Sequence, residues 1–156
     1  MRSIGLTAAV AVFVFGAACS APAWAGAPGD LVRALYGEQA LGFDAAKSGR
    51  YFAADLDGAL RADSSDPNEV GAVDFDYRYG SQDGRITGLQ FIEDTDRGQS
   101  RVVAVFKNDR RPHSVDWTLC RRPDGTWRIA DASSNTSAEP WGLRALLKLP
   151  ADPVRC

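Results

Sequence analysis

The sequence predicts an α+β fold: an antiparallel, curved sheet of three to five strands, packed with N-terminal helices and followed by a short C-terminal helix. Three observations predict it. Apolar residues recur at helical spacing from Pro28 to Arg61, and the period changes to two after Gly80. The run Arg122-Pro123-Asp124-Gly125 then separates two alternating segments with a strong turn signature. Helices, then a run of strands, then a helix describe a layered fold in which the sheet carries its helices on one face.

The first helix starts near Pro28, a residue suited to a first-turn position. Leu31, Leu35 and Tyr36 fall on one side of it, with Leu41 further on. A second short helix fits Asp55 to Arg61, with Leu56, Ala59 and Leu60 apolar, and the polar stretch Ala62 to Asn68 ends it. Leu89 and Phe91 alternate with Gln90. Val102, Ala104 and Phe106 alternate with Val103, Val105 and Lys107, so this strand is apolar on both faces at its centre. His113, Val115, Trp117 and Leu119 alternate with Ser114, Asp116, Thr118 and Cys120, and Trp127 and Ile129 alternate with Arg128 and Ala130. Short turns between such segments make an antiparallel meander. The last helix is expected from Pro140 to Lys148, with Ser137 as its cap and Leu143, Leu146 and Leu147 on its apolar face.

Arg2, the apolar run Ala8 to Ala18 and the site Ala23-Trp24-Ala25 have the layout of a cleavable secretory signal over residues 1–25. The run is shorter than the roughly 20 residues a membrane span needs, so no stable membrane insertion is expected after cleavage. A lipoprotein acylated at Cys19 is the alternative, but Gly16 stands where such signals place a large aliphatic residue. Residues 26–156 then form one globular domain, periplasmic or secreted. Export favours a disulfide between the remaining cysteines, Cys120 and Cys156, over two free thiols. Two cysteines and the single His113 show no metal-ligand spacing, and no cofactor motif is present. The formal net charge of −2 and the lack of a basic stripe argue against nucleic acid as a partner.

The acidic residues Asp74, Asp76 and Asp83 precede the sheet. Asp74 and Asp76, two apart on extended chain, would point the same way and offer converging carboxylates to a cation, an arginine or a proton. The competing role is turn stabilisation, because Asp hydrogen-bonds its own backbone readily. His113 shares a strand face with Val115, Trp117 and Leu119. It becomes a general base if that face lines a pocket and a rim residue beside Pro112 otherwise. Trp127 reads as core. Trp141, near a helix start, is the tryptophan expected to be partly exposed and able to stack on a ligand. Asp131 and Arg144 are expected to pair across the sheet-helix junction.

Three segments carry a resemblance: Leu35-Tyr36; Asp74-Phe75-Asp76-Tyr77 with Gln82-Asp83-Gly84; and Asp124-Gly125-Thr126-Trp127-Arg128-Ile129-Ala130-Asp131-Ala132, followed by Trp141-Gly142-Leu143-Arg144. In this order, over roughly Leu31 to Leu147, the chain resembles the bacterial family of domain of unknown function 3828. Tyr77 is a departure, standing where a proline is expected. The resemblance implies a small exported or lipid-anchored protein with a cone-shaped fold similar to nuclear transport factor 2. It implies no catalytic residues.

The functional expectation is therefore an exported, non-enzymatic binding module of the bacterial envelope. Its partner is an unknown small molecule, peptide or protein, held by residues among Asp74, Asp76, Asp83, His113 and Trp141. The alternatives are a periplasmic protein–protein inhibitor of immunity type and a small acid/base hydrolase or isomerase. Signal cleavage after Ala25 is expected, and the intact mass of the exported protein checks it; a species beginning at a lipidated Cys19 would refute it.

Overall fold

The computed structural model describes residues 26–38, 48–66, 68–96, 99–137, 139–152 and 156. The expectations for residues 1–25, Cys19 included, and for Leu41 lie outside the described residues. Helix α1 spans Pro28–Gly37 with Pro28 in its first turn, and it buries Leu31, Val32 and Leu35 completely. Helix α2 spans Ala54–Asp63 and buries Leu56 and Leu60. It runs further at both ends than the sequence suggests. The Asp63 carboxylate stops it by accepting the backbone N–H groups of Ala72 (2.8 Å) and Val73 (3.0 Å).

Five antiparallel strands follow: β1 (Ile86–Asp96), β2 (Gln99–Asn108), β3 (Arg111–Arg121), β4 (Trp127–Ser134) and β5 (Trp141–Gly142). They lie in the sheet in chain order, an open meander. The β3–β4 turn is the one the sequence encodes. Gly125 (φ 83°) donates to Arg122 O at 2.9 Å, while Thr126 N–H and Oγ1 both bond Asp124 Oδ1.

One face of the sheet is buried. Val102, Ala104 and Phe106 of β2 share it with Val115, Trp117 and Leu119 of β3 and with Ile129 and Ala132 of β4. A bulge makes the β4 contribution work. Thr118 pairs with Asp131 and Leu119 with Ile129, so Ala130 is the extra residue. Without it Ile129 and Ala132 would point to opposite faces. Helix α1 lies across this face, against β1, β2 and β4. Residues 51–53 close the edge of β4: Ile129 N–H donates to Tyr51 O (2.7 Å) and Ala53 N–H to Ile129 O (2.8 Å).

Aromatic rings fill the space between α1 and the sheet. Tyr36 meets Tyr79, Phe91 and Trp117 edge to face, Tyr77 meets Phe52 and Trp117, and Phe106 meets Tyr79. Trp117 is fully buried and Trp127 is 7% exposed. The reverse face carries Gln90, Ile92, Arg101, Lys107, Ser114, Asp116 and Thr118, and the described helices leave it open.

The C-terminal region differs from the sequence expectation. Helix α3 covers only Leu143–Leu146, and Trp141 and Gly142 pair as β5 with Ser134 and Ser133. The helix cannot begin at Pro140 because Gly142 is extended (φ −144°, ψ 136°), held by the sheet ladder, and it is the N-cap. Ser137 does not cap; its Oγ accepts the Trp141 indole N–H at 3.1 Å. Cys120 and Cys156 form a disulfide, Cα–Cα 5.7 Å, that joins β3 to the C-terminal residue across a separation of 36. That loop contains β4, β5 and α3. Its closure entropy corresponds to about 3–4 kcal/mol. Reduction, or Cys120→Ser with Cys156→Ser, is expected to lower stability by about that amount, measured by denaturant unfolding with and without reductant.

Candidate functional site

A groove of 470 Å³ lies on the open side of the sheet, between β3, β4, β5 and α3. Its floor is built by register: Asp116 of β3 pairs with Ser133 of β4, which pairs with Gly142 of β5. Pro140, Ala145 and Leu146 supply an apolar wall, Trp141 lies at its edge, and Asn135 stands on the rim. The Trp141 indole is fixed by three contacts. Its N–H is spent on Ser137, its ring meets Phe75 at 5.0 Å, and it packs on Gly80 (φ 61°), where a Cβ would come within 3.0 Å of the indole nitrogen. The Asp116 carboxylate is oriented by Arg101, whose Nε and Nη2 both donate to Oδ1 (Nε at 2.9 Å). Asp116 Oδ2, the Ser133 hydroxyl and the Asn135 amide form no hydrogen bond with the described residues. The groove thus sets unspent polar groups beside an aliphatic wall, while the Trp141 indole, on the strand position paired with buried Ser134, turns to the covered side.

Of the sequence candidates, Trp141 alone lines this groove. The three aspartates go elsewhere. Asp74 is exposed, and its backbone oxygen accepts Gln82 Nε2 at 2.9 Å. Asp76 is turned onto Arg78, accepting Nη2 at 2.6 Å, Nε at 3.0 Å and the Arg78 backbone N–H at 3.0 Å. Asp83 is exposed, and its backbone oxygen, not its carboxylate, is engaged by Ser81 Oγ at 2.8 Å. No group of three His, Cys, Asp or Glu able to hold a metal ion occurs among the described residues. His113 is half-buried at the end of the covered β3 face and stacks on Phe106, centroids 6.1 Å apart.

Arg78 escaped notice in the sequence. It is 6% exposed and ties three segments together. Besides Asp76, its Nη1 donates to Glu38 O at 2.6 Å and its own carbonyl accepts the Tyr36 hydroxyl. That hydroxyl in turn accepts Trp117 Nε1 at 3.3 Å. Burial pushes the Tyr36 phenol well above its ordinary pKa, so it stays a neutral donor. Burial works against the charge on Arg78, but the Asp76 carboxylate outweighs it and raises its pKa.

The expected Asp131–Arg144 ion pair takes a different form. The Arg144 guanidinium, 2% exposed, goes to Asp55 (Nη2 to Oδ2, 2.7 Å) and to the carbonyl of Ala130 (3.1 Å). Asp131 receives only the backbone N–H groups of Arg144 (3.1 Å) and Ala132 (2.9 Å), both on Oδ1. Helix α3 turns the N–H of its second residue, Arg144, toward Asp131, while the long Arg144 side chain reaches back past β4 to α2.

No family model, curated protein or solved structure matches the chain.

The two aspartates around Arg144 should respond to pH with opposite signs. Burial opposes ionisation of Asp55, but the bond and charge of Arg144 prevail and hold its carboxyl below the usual range. Its stabilisation is present above the unfolded carboxylate pKa and is lost as pH falls toward the lower folded value. Burial raises the Asp131 carboxyl above the usual range, ahead of the hydrogen bonds that lower it. Its ionisation therefore costs stability as pH rises through that window. Asp55→Ala strands a buried guanidinium and is expected to cost about 3 kcal/mol at neutral pH. Asp131→Asn keeps an acceptor for both N–H groups and is expected to be neutral or stabilising there. Urea unfolding of both variants from acid to neutral pH checks the two signs.

Proposed function

We propose that the protein is an exported, non-enzymatic binding module of the bacterial envelope, and that its ligand sits in the groove floored by Asp116, Ser133 and Gly142. The observation that carries this reading is the convergence, in one open groove beside the aliphatic wall of Pro140, Ala145 and Leu146, of three polar groups that form no hydrogen bond with the described residues: Asp116 Oδ2, Ser133 Oγ and the Asn135 amide. Such a lining suits a small ring compound, or a short peptide side chain, with an apolar face and a hydroxyl or amine edge. The disulfide is consistent with an oxidising compartment. No helix among the described residues is long and apolar enough to cross a membrane. The resemblance to the domain of unknown function 3828 family, and through it to cone-shaped folds of the nuclear transport factor 2 type, belongs to the same proposal.

A second reading, the protein–protein inhibitor, draws on Ile92, a large apolar side chain 57% exposed on the open sheet face opposite Val103. The two readings separate in one experiment. A fragment library of hydroxylated and amine-bearing ring compounds is screened by NMR, reading the backbone amides of Asp116, Ser133 and Asn135. Saturable shifts are expected, weakened roughly tenfold by Asn135→Ala with the melting temperature unchanged, as for loss of one hydrogen bond to a polar ligand group. Shifts that survive Asn135→Ala and Ser133→Ala at full affinity would refute the groove. A protein partner whose binding is abolished by Ile92→Asp would move the function to the sheet face.

A further inference from the structure

The β2–β3 hairpin ends in a two-residue turn, Asp109-Arg110, with both residues at positive φ (48° and 70°). Turns of this hand normally take Asn-Gly, since a non-glycine pair there is strained. Arg110 gains nothing locally from that conformation: among the described residues its side chain forms no hydrogen bond or ion pair. The turn is held from outside. Asp109 N–H donates to Arg85 O at 3.2 Å, and Asp109 Oδ1 accepts Arg85 N–H at 3.1 Å. Arg85 is brought there by Gly84, which packs directly on the buried Asn108 amide; a Cβ at Gly84 would lie 1.8 Å from Asn108 Oδ1.

The consequence is a convergence of cations that no contiguous stretch of sequence displays. Arg85, Thr87, Asp109 and Arg110 border an open hollow of 520 Å³. Thr87 pairs across the strands with Lys107 on the same face. The side chains of Arg85, Lys107 and Arg110 are exposed, and none reaches a carboxylate within 4.0 Å or a backbone carbonyl among the described residues. The Thr87 hydroxyl is equally unspent. The one opposing charge is Asp109, whose carboxylate already accepts the Arg85 N–H. A chain with net charge −2 thus borders one hollow with two arginines, one carboxylate and a hydroxyl donor, with Lys107 on the strand position paired with Thr87.

We propose that this hollow is a phosphate-binding site, with Arg85 and Arg110 at its border supplying charge, Thr87 Oγ1 a further donor, and Lys107, paired with Thr87 across the strands, adding charge from beside it. Guanidinium groups match phosphate oxygens in pairs, and a lysine adds a compact charge. The site lies at the β2–β3 end of the sheet, shares no lining residue with the Trp141 groove and does not depend on its occupancy. The shared chemistry is a phosphate monoester or diester, carried by a soluble metabolite or by a lipid headgroup.

The test is NMR titration of the disulfide-bonded protein with inorganic phosphate, and in parallel flotation with vesicles of phosphatidylcholine alone or mixed with phosphatidylglycerol. Saturable amide shifts at residues 85, 87, 107 and 110 are expected. They should weaken at least about tenfold in Arg85→Gln/Arg110→Gln, be partly restored in Arg85→Lys/Arg110→Lys, and stay unchanged in Arg122→Gln, which removes a cation elsewhere. Phosphate binding of this kind assigns a soluble ligand; flotation with phosphatidylglycerol alone, lost in the same double variant, assigns a headgroup. The Arg85 and Arg110 side chains form no hydrogen bond or ion pair among the described residues, so thermal melts of the two double variants should coincide with that of the unsubstituted protein. Absence of saturable binding in both arms, or equal weakening in Arg122→Gln, would overturn the proposal.

Discussion

Trp117 is seated at the centre of the meander with its indole fully buried, and the covered half of the molecule is arranged around it. Its cross-strand neighbours are Val102 and Ala132, small enough to let the ring lie across the sheet. Tyr36 from α1 and Tyr77 from the preceding loop close over it edge to face, and its N–H is spent on Tyr36. A tryptophan buried this deeply needs both an apolar surround and a partner for its one donor. Meeting both demands seats α1 on the covered face, and the described helices leave the opposite face open.

Two buried arginines do for the irregular segments what Trp117 does for the core. Arg78 fastens the loop of residues 76–81 to the end of α1, and Arg144 fastens α3 to α2 across β4. Neither cation can be buried without its carboxylate and carbonyl partners. Asp76 and Asp55 are therefore committed to structure, while carboxylates on the open face, Asp116 among them, retain an oxygen for other uses.

The meander and its turn were legible in the sequence because alternation is a local property: Val115, Trp117 and Leu119 declare their face without reference to any other strand. The site was less legible. Asp74 and Asp76 looked like a converging pair only if the chain were extended there, but the chain turns back at Tyr77–Gly80 and Asp76 finds Arg78 two residues on. The polar positions Asp116 and Ser133 looked like ordinary solvent-facing alternates. They acquire meaning only because β4 pairs with β3 in one register and β5 extends the same floor through Gly142.

The amino-acid sequence by itself determined the class of fold, the meander, the β3–β4 turn and the pairing of Cys120 with Cys156, since each follows from periodicity, turn chemistry or the number of cysteines. Tertiary structure decided the bulge at Ala130, the conversion of Trp141-Gly142 from helix to strand, the partner of Arg144 and the convergence of Arg85 and Arg110. The physical reason is range. Hydrophobic alternation and turn preference act over a few residues, whereas a buried charge or a strand edge is satisfied by whatever the folded chain brings near, such as Asp55, 89 residues away from Arg144.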